Sequence, residues 1–281
     1  MRFTEITDYT TCQEKWYWRW WCGYVPSKDH IDSALNIGSL CHKYVHISCM
    51  FNQQEAEKCF VYPYNTPDTM RIRCLVRNLS DFYLNWCKNN GYELMASELV
   101  VSKTGEPPLN INHTGTIDAL YLHNNHIVLS DLKTVSDVLT SSLSYQMRPQ
   151  LYYYLELLRS VITGLGRVDL EYHVVPKCQI KGKRDETEDD LMERFREWYE
   201  NAEVSVVLST GTSVPFYLST FSIANKIVGN NNGLTHERNF TACQSGFSVC
   251  PYLSLCTSNL PEQTAQNFYM KVETEHNTRR A

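Results

Sequence analysis

The chain has 281 residues, 43% hydrophobic and 20% charged, which is enough apolar material for one large core or two small ones. Composition excludes the collagen-like, coiled-coil and low-complexity classes, and no apolar run reaches the ~18 residues that a membrane-spanning helix needs. With 26 Lys+Arg against 31 Asp+Glu the net charge is −5, so any phosphate-binding surface has to be local.

The opening Met1-Arg2-Phe3-Thr4-Glu5 lacks the basic-then-apolar order of a secretion signal, which points to the cytoplasm (the host's, if phage-encoded). Residues 6–24 read as an aromatic-rich helix packed on something larger, with Trp16, Tyr17, Trp18, Trp20 and Trp21 around Lys15 and Arg19. A second helix is expected over 32–51, where Gly38 and Ser39 let another backbone approach closely. A third spans 69–88 with apolar positions three and four apart, and Asn89-Asn90-Gly91 ends it.

The period then changes. Residues 94–101, 111–122 and 127–132 read as strands, the last two joined by the turn His123-Asn124-Asn125-His126. A helix follows over 149–160, with Pro149 in its first turn, then a strand over 168–175. A charged helix covers 186–201, its acidic start at 185–190 suiting a helix N-terminus. Residues 229–233 read as a loop and the last twenty as a polar, loosely held tail. With no repeat and no long linker, 1–281 is expected to be one elaborated α/β domain. Its parts are a helical segment at 1–90, a mixed sheet core flanked by helices at 91–180, C-terminal helices and cysteines at 181–260, and the tail at 261–281.

Eleven cysteines cannot all pair, and a reducing compartment keeps them as thiols. Cys22, Cys41, Cys49, Cys59, Cys74, Cys87 and Cys178 are scattered among apolar neighbours and read as small core residues. The C-terminal Cys243, Cys250 and Cys256 stand apart.

Asp118 closes Gly115-Thr116-Ile117-Asp118, and Asp131 and Lys133 sit in Ser130-Asp131-Leu132-Lys133. Residues two apart in a strand share a face, so Asp131 and Lys133 point together while Leu132 enters the core. The turn between the strands brings Asp118 beside Asp131. Two adjacent carboxylates call for a cation, and an oxygen-preferring Mg²⁺ or Mn²⁺ fits. The bland alternative is an Asp–Lys surface pair.

Gly115-x-x-Asp118 followed by Asp131-x-Lys133 resembles the signature of the PD-(D/E)XK nuclease superfamily. More narrowly it resembles the RecB-type branch, which includes the CRISPR-associated iron–sulfur exonucleases and AddB-type nuclease domains. That resemblance implies a restriction-endonuclease-like core and a metal-dependent deoxyribonuclease acting on DNA ends or single strands. It implies a metal held by His42 (in Gly38-Ser39-Leu40-Cys41-His42), Asp118, Asp131 and the Leu132 carbonyl, with Lys133 positioning the attacking water. It adds Glu98 on the preceding strand, and Gln150 with Tyr154 on the next helix, Gln146 being a near-equivalent for the glutamine. His46 is expected to be structural.

Relatives with a cluster carry one N-terminal and three C-terminal cysteines. The resemblance therefore implies a [4Fe–4S] cluster on Cys12, Cys243, Cys250 and Cys256 joining both chain ends, with Zn²⁺ as the rival. Cys22 competes with Cys12, and six residues separate Cys243 from Cys250 where two or three are usual in relatives. Lys15 and Arg19 are the candidates for DNA phosphate contacts. Recombination, CRISPR-adaptation or viral replication proteins are the implied partners. The competing function is a DNA-binding or assembly subunit that keeps the fold and the cluster without cutting.

Overall fold

The computed structural model describes residues 1–26, 34–60, 66–104, 112–146, 148–183, 185–209, 222–224, 226–227, 239–245 and 248–274. The loop expected at 229–233 and residues 275–281 of the expected tail lie outside them. Backbone contacts divide the chain into two compact units. One comprises Met1–Asp29, Ser102–Gly115 and Val214–Ala281; the other comprises His30–Val101 and Thr116–Ser213. No helix among the described residues is long and apolar enough to cross a membrane.

In the first unit the helix expected over 6–24 is broken into α1 (Phe3–Thr11), α2 (Gln13–Trp16) and a π-helical turn at Tyr17–Trp21. The break is Cys12, whose backbone is extended at φ −162°, ψ 115°. Beyond that break Trp16, Trp18 and Trp21 are all buried. Three buried acids accept the indole N–H groups: Glu5 from Trp16 (3.3 Å), Glu14 from Trp18 (2.9 Å) and Asp8 from Trp20 (2.9 Å). Each indole thus supplies both the apolar wall and the polar partner that a buried carboxylate requires.

The polar C-terminal segment is more ordered than its composition suggested. Pro261–Phe268 is a helix, and Tyr269–Lys271 pairs antiparallel with β1 (Tyr24–Pro26). Tyr252, Leu255 and Ala265 bury against Trp18, and Tyr252 Oη donates to the Tyr24 carbonyl at 2.9 Å.

The second unit begins with α3 (Ala34–Met50), α4 (Gln53–Glu57) and α5 (Pro67–Asn89). Thr66 and Thr69 cap α5 reciprocally, Pro67 sits where no N–H is needed, and Gly91 at φ +73° turns the chain away after it. The five-stranded sheet has the order β2-β3-β4-β5-β6, formed by Glu93–Thr104, Asn112–His123, His126–Val135, Val168–Pro176 and Ser205–Leu208. β3 and β4 are antiparallel, β4 and β5 parallel, β5 and β6 antiparallel, so the sheet is mixed as expected.

The parallel β4–β5 step needs a crossover, which α6 (Val138–Gln146) and α7 (Gln150–Val161) supply. α4, α6 and the edge strand β6 are short and weakly patterned, and leave little signal in the sequence. α8 (Glu188–Tyr199) starts, as expected, on acids, with a Thr187–Asp190 capping box. One sheet face carries Val128, Leu132 and Val175 against Tyr44, Ile72, Leu75, Leu79 and Phe195 of α3, α5 and α8. Cys41, Cys74, Cys87 and Cys178 fill gaps in that core, and burial raises all four thiols, Cys41 to about 12 and Cys87 to about 11.

Candidate active site

The site forms where β3 and β4 separate. Their ladder pairs Ala119 with Ser130 and runs from there to the turn at His123 and His126. The next pair in register would be Asp118 and Asp131, and there the ladder stops. Instead of a strand carbonyl, the Asp118 side chain takes the Leu132 N–H, at 3.0 Å through Oδ2. Paired positions in an antiparallel ladder point to one side, so both carboxyls turn to this opening, within electrostatic reach of each other.

Two further elements complete the group. α3 brings His42, whose Nδ1 lies 3.2 Å from Asp118 Oδ2. β2 brings Glu98 through a distortion that the sequence did not signal: Glu98 has φ +51°, a left-handed conformation inside a strand. One residue of that kind breaks the alternation of side chains and re-aims the one it carries. The result is that donor atoms of His42, Glu98 and Asp118 all lie within 4.8 Å of one another. Glu98 thereby joins the donors, where the sequence had pointed to His42, Asp118, Asp131 and the Leu132 carbonyl.

The left-handed backbone at Glu98 costs about 1–2 kcal/mol for a residue with a Cβ. Glu98→Gly is therefore expected to raise the melting temperature while lowering cleavage at least about 100-fold, since the backbone relaxes and the carboxylate is lost. A variant that is both less stable and fully active would show that the conformation serves neither purpose.

Asp131 is 1% exposed and faces Lys133, whose Nζ lies 2.8 Å from Oδ1 and 2.6 Å from Oδ2. Burial disfavours charge on Lys133, but Asp131 and Asp118 outweigh it and hold the ammonium protonated. Burial also acts against an ionised Asp118, yet His42 and the neighbouring donors win and keep it ionised. Asp131 is pushed the other way, by burial and by Asp118, against the pull of Lys133. Two carboxyls in contact cannot both ionise without a positive charge between them. Carboxylates with one imidazole are the donor set that suits Mg²⁺ or, still better, Mn²⁺, so the residues present fit such an ion.

On α7, Gln150 Nε2 donates to Tyr154 Oη at 3.1 Å, and burial followed by the nearby Asp131 raises the Tyr154 hydroxyl, which stays a donor. Gln146 is exposed at the end of α6, so Gln150 is the glutamine joined to this tyrosine. An open cleft of about 690 Å³ lies over the donors, lined also by Ser39, Lys43 and His46 of α3. His46 is tied to Ser97 Oγ at 3.0 Å. Gly38 does face β4 here, but what approaches it is the Thr134 side chain, at an ordinary contact distance for an added Cβ.

The remaining sequence candidates lie in the first unit. Asp8 accepts Lys15 at 2.6 Å and Arg19 at 2.9 Å, so both cations meet a carboxylate there. Cys250 lies in the electrostatic surroundings of Lys15, Cys12 and Cys243, and its N–H bonds the Cys243 carbonyl at 2.8 Å. Asn239 Nδ2 donates to the Thr11 carbonyl at 2.9 Å, next to Cys12. Cys256 is near Tyr269, which also feels Cys250. Cys22 packs with Cys250 against the Trp18–Tyr252 cluster.

An α/β fold with a mixed sheet opening onto Asp118, Asp131 and Lys133 is the architecture of a nuclease core. The chain matches the PD-(D/E)XK nuclease superfamily over residues 3–257 and belongs to that superfamily. A crystal structure of a "Putative exonuclease" from Eubacterium rectale shares the fold, with TM-score 0.50 and 10% identity over 92% of this chain and 93% of that one. The crystal structure of SSO0001 superposes with TM-score 0.34 and 14% identity over 80% of this chain and 86% of that one. No curated protein matches the chain.

Proposed function

We propose that the chain is a metal-dependent deoxyribonuclease of the RecB-type branch that removes nucleotides from DNA ends or single strands. The observation that carries this reading is the convergence of His42, Glu98 and Asp118 within 4.8 Å, with the Asp131–Lys133 pair against it. A bound Mg²⁺ or Mn²⁺ supplies a water of lowered pKa and offsets charge on the phosphate. His42, Glu98, Asp118 and Asp131 would hold the ion; Lys133, fixed by Asp131, would orient the attacking water and offset charge on the phosphate. Tyr154, positioned by Gln150, offers a hydroxyl donor beside the same carboxylates. The exonucleolytic choice draws on the Eubacterium rectale neighbour, described as an exonuclease.

Linear single-stranded DNA labelled at either end should release nucleotides in Mn²⁺ and none in EDTA, while closed single-stranded circles stay intact. Cutting of circles would replace the exonuclease by an endonuclease. DNA binding that persists in EDTA, with no cleavage in Mn²⁺, would instead mean the non-cleaving assembly subunit.

We further infer that Cys12, Cys243, Cys250 and Cys256 hold a [4Fe–4S] cluster, with zinc as the rival occupant. Support comes from the shared surroundings of Cys12 with Cys243 and Cys250, which lie near the opposite end of the chain. Such a site closes a long loop and stabilises the unit that contains it. Protein purified without air should be brown with about four irons per chain, and Cys12→Ser should be colourless and melt earlier. One zinc and no iron would select zinc; metal-free protein with eleven titratable thiols would remove both.

A further inference from the structure

We propose that Lys43 and Arg148 form a phosphate clamp that grips the nucleic-acid strand from the two faces of the sheet, across the metal donors. The inference rests on the nuclease reading of the site and extends it to how the strand is held.

Lys43 follows His42 on α3 and lines the same cleft as His42, Glu98, Asp118 and Lys133. It is exposed, and among the described residues it forms no ion pair. Its helix packs on the sheet face that buries Leu132.

Arg148 lies on the opposite face, linked to Asp131 through Tyr145 and Tyr172. Asp131 pairs in register with Tyr172 of β5, so the two side chains share the face that Leu132 does not. Tyr172 stacks on Tyr145 of α6 with ring centroids 5.3 Å apart, and the Arg148 guanidinium lies 4.5 Å over the other ring partner, Tyr145. The Tyr172 hydroxyl lies within electrostatic reach of both Asp131 and Arg148. The Arg148 carbonyl accepts Ser209 Oγ at 3.4 Å, which holds the α6–α7 connection to the end of β6.

The other arginines described in this unit are committed elsewhere. Arg73, Arg77, Arg159, Arg167, Arg194 and Arg196 each face a carboxylate, and Arg71 Nε donates to the Ile180 carbonyl. Arg148 is held by an aromatic ring instead, which fixes the guanidinium plane and leaves its fork of donors for an anion. In a chain of net charge −5, one such cation in the cleft and one held beyond Tyr172 on the opposite face are where a polyanion can be held without neutralising the metal donors. Lys43 acts as a point charge on one phosphate; Arg148 makes a planar, two-pronged contact with another.

The test is fluorescence anisotropy of a labelled oligothymidylate strand with full-length protein in Ca²⁺, strand integrity being checked on a gel, together with Mn²⁺-supported cleavage kinetics. Lys43→Ala and Arg148→Ala should each weaken binding about tenfold and lower the log–log salt slope by about 0.7 per lost phosphate contact. In cleavage, KM should rise while kcat stays within about twofold of wild type. Lys43→Arg should restore binding, whereas Arg148→Lys should not, because only a guanidinium stacks and forks. Arg159→Ala, which removes an exposed charge paired with Glu156, should change nothing. Unaltered melting temperatures show that the losses are local, and Arg148→Gln serves if the alanine variant is unstable.

Binding and salt slope unchanged in both variants would overturn the clamp, whatever the cleavage result. Variants that bind weakly while wild-type protein never cuts in Mn²⁺ would overturn the nuclease reading and leave the clamp standing. Wild-type protein that binds no strand removes both.

Discussion

Asp131→Ala and Lys133→Ala are each expected to lower kcat/KM by about 10³-fold or more while leaving the chain folded. The two side chains form one device: a carboxylate 1% exposed that holds an ammonium at 2.6–2.8 Å, and an ammonium that reaches the cleft. Removing a partner from a buried pair normally leaves a stranded charge. Here neither variant strands one. Without Lys133, Asp131 takes up a proton still more readily than it already does, because burial and Asp118 favour its neutral form. Without Asp131, Lys133 keeps Asp118 nearby and is partly solvated. The double variant should therefore lose no more than either single one, as expected of groups acting together. Kinetics on end-labelled DNA with far-ultraviolet circular dichroism decides it; full cleavage by both folded variants would remove Asp131 and Lys133 from the mechanism.

The second large effect is on how stability depends on pH with and without a divalent ion. Burial, joined by Asp118 and opposed by Lys133, raises Asp131 to about 8 from an ordinary 3.8. Burial opposes charge on His42, but Asp118 beside it dominates and lifts the imidazole to about 9 from 6.5. Both groups bind protons in the fold that the unfolded chain would have released. Their stabilisation is complete below the unfolded values and is lost as pH rises through about 8 and 9. Asp118, held low, contributes in the opposite sense, but its loss falls in acid, below 3.8. In EDTA the melting temperature should fall between pH 6.5 and 9. Saturating Mn²⁺ takes the place of those protons, so the decline should vanish, the melting temperature should rise, and protons should be released on binding. Thermal melts in both conditions, with proton release followed by a dye, give the answer. Parallel curves and no release would mean that no ion enters between these groups.

How much of this was legible beforehand differs by element. α5 was readable because its apolar positions, its Pro67 start and its Gly91 stop all agree. The β3–β4 hairpin was readable from alternation and from Asn124-Asn125, both of which adopt positive φ. In the N-terminal segment periodicity alone extends one helix through Cys12, whereas the chain is extended there, and Trp16, Trp18 and Trp20 donate to Glu5, Glu14 and Asp8. The tail was misjudged because the partner of Tyr269–Lys271 is β1, at the other end of the chain. Likewise Lys15 and Arg19 look free in sequence, and only the fold brings Asp8 to both.

At the site, local spacing alone required Asp131 and Lys133 to share a strand face, since a two-residue repeat has no other outcome. The turn length likewise brought Asp118 level with Asp131. The sequence by itself therefore determined the pairing of Asp118 with Asp131, the shared face of Asp131 and Lys133, and the superfamily pattern. Three things were decided only in three dimensions: the opening of that ladder at Leu132, the left-handed turn of Glu98 toward His42, and the stacking of Tyr145 on Tyr172. Each joins segments that no short-range rule connects, and each depends on packing between elements whose meeting is set by the burial of the whole core rather than by neighbours in the chain.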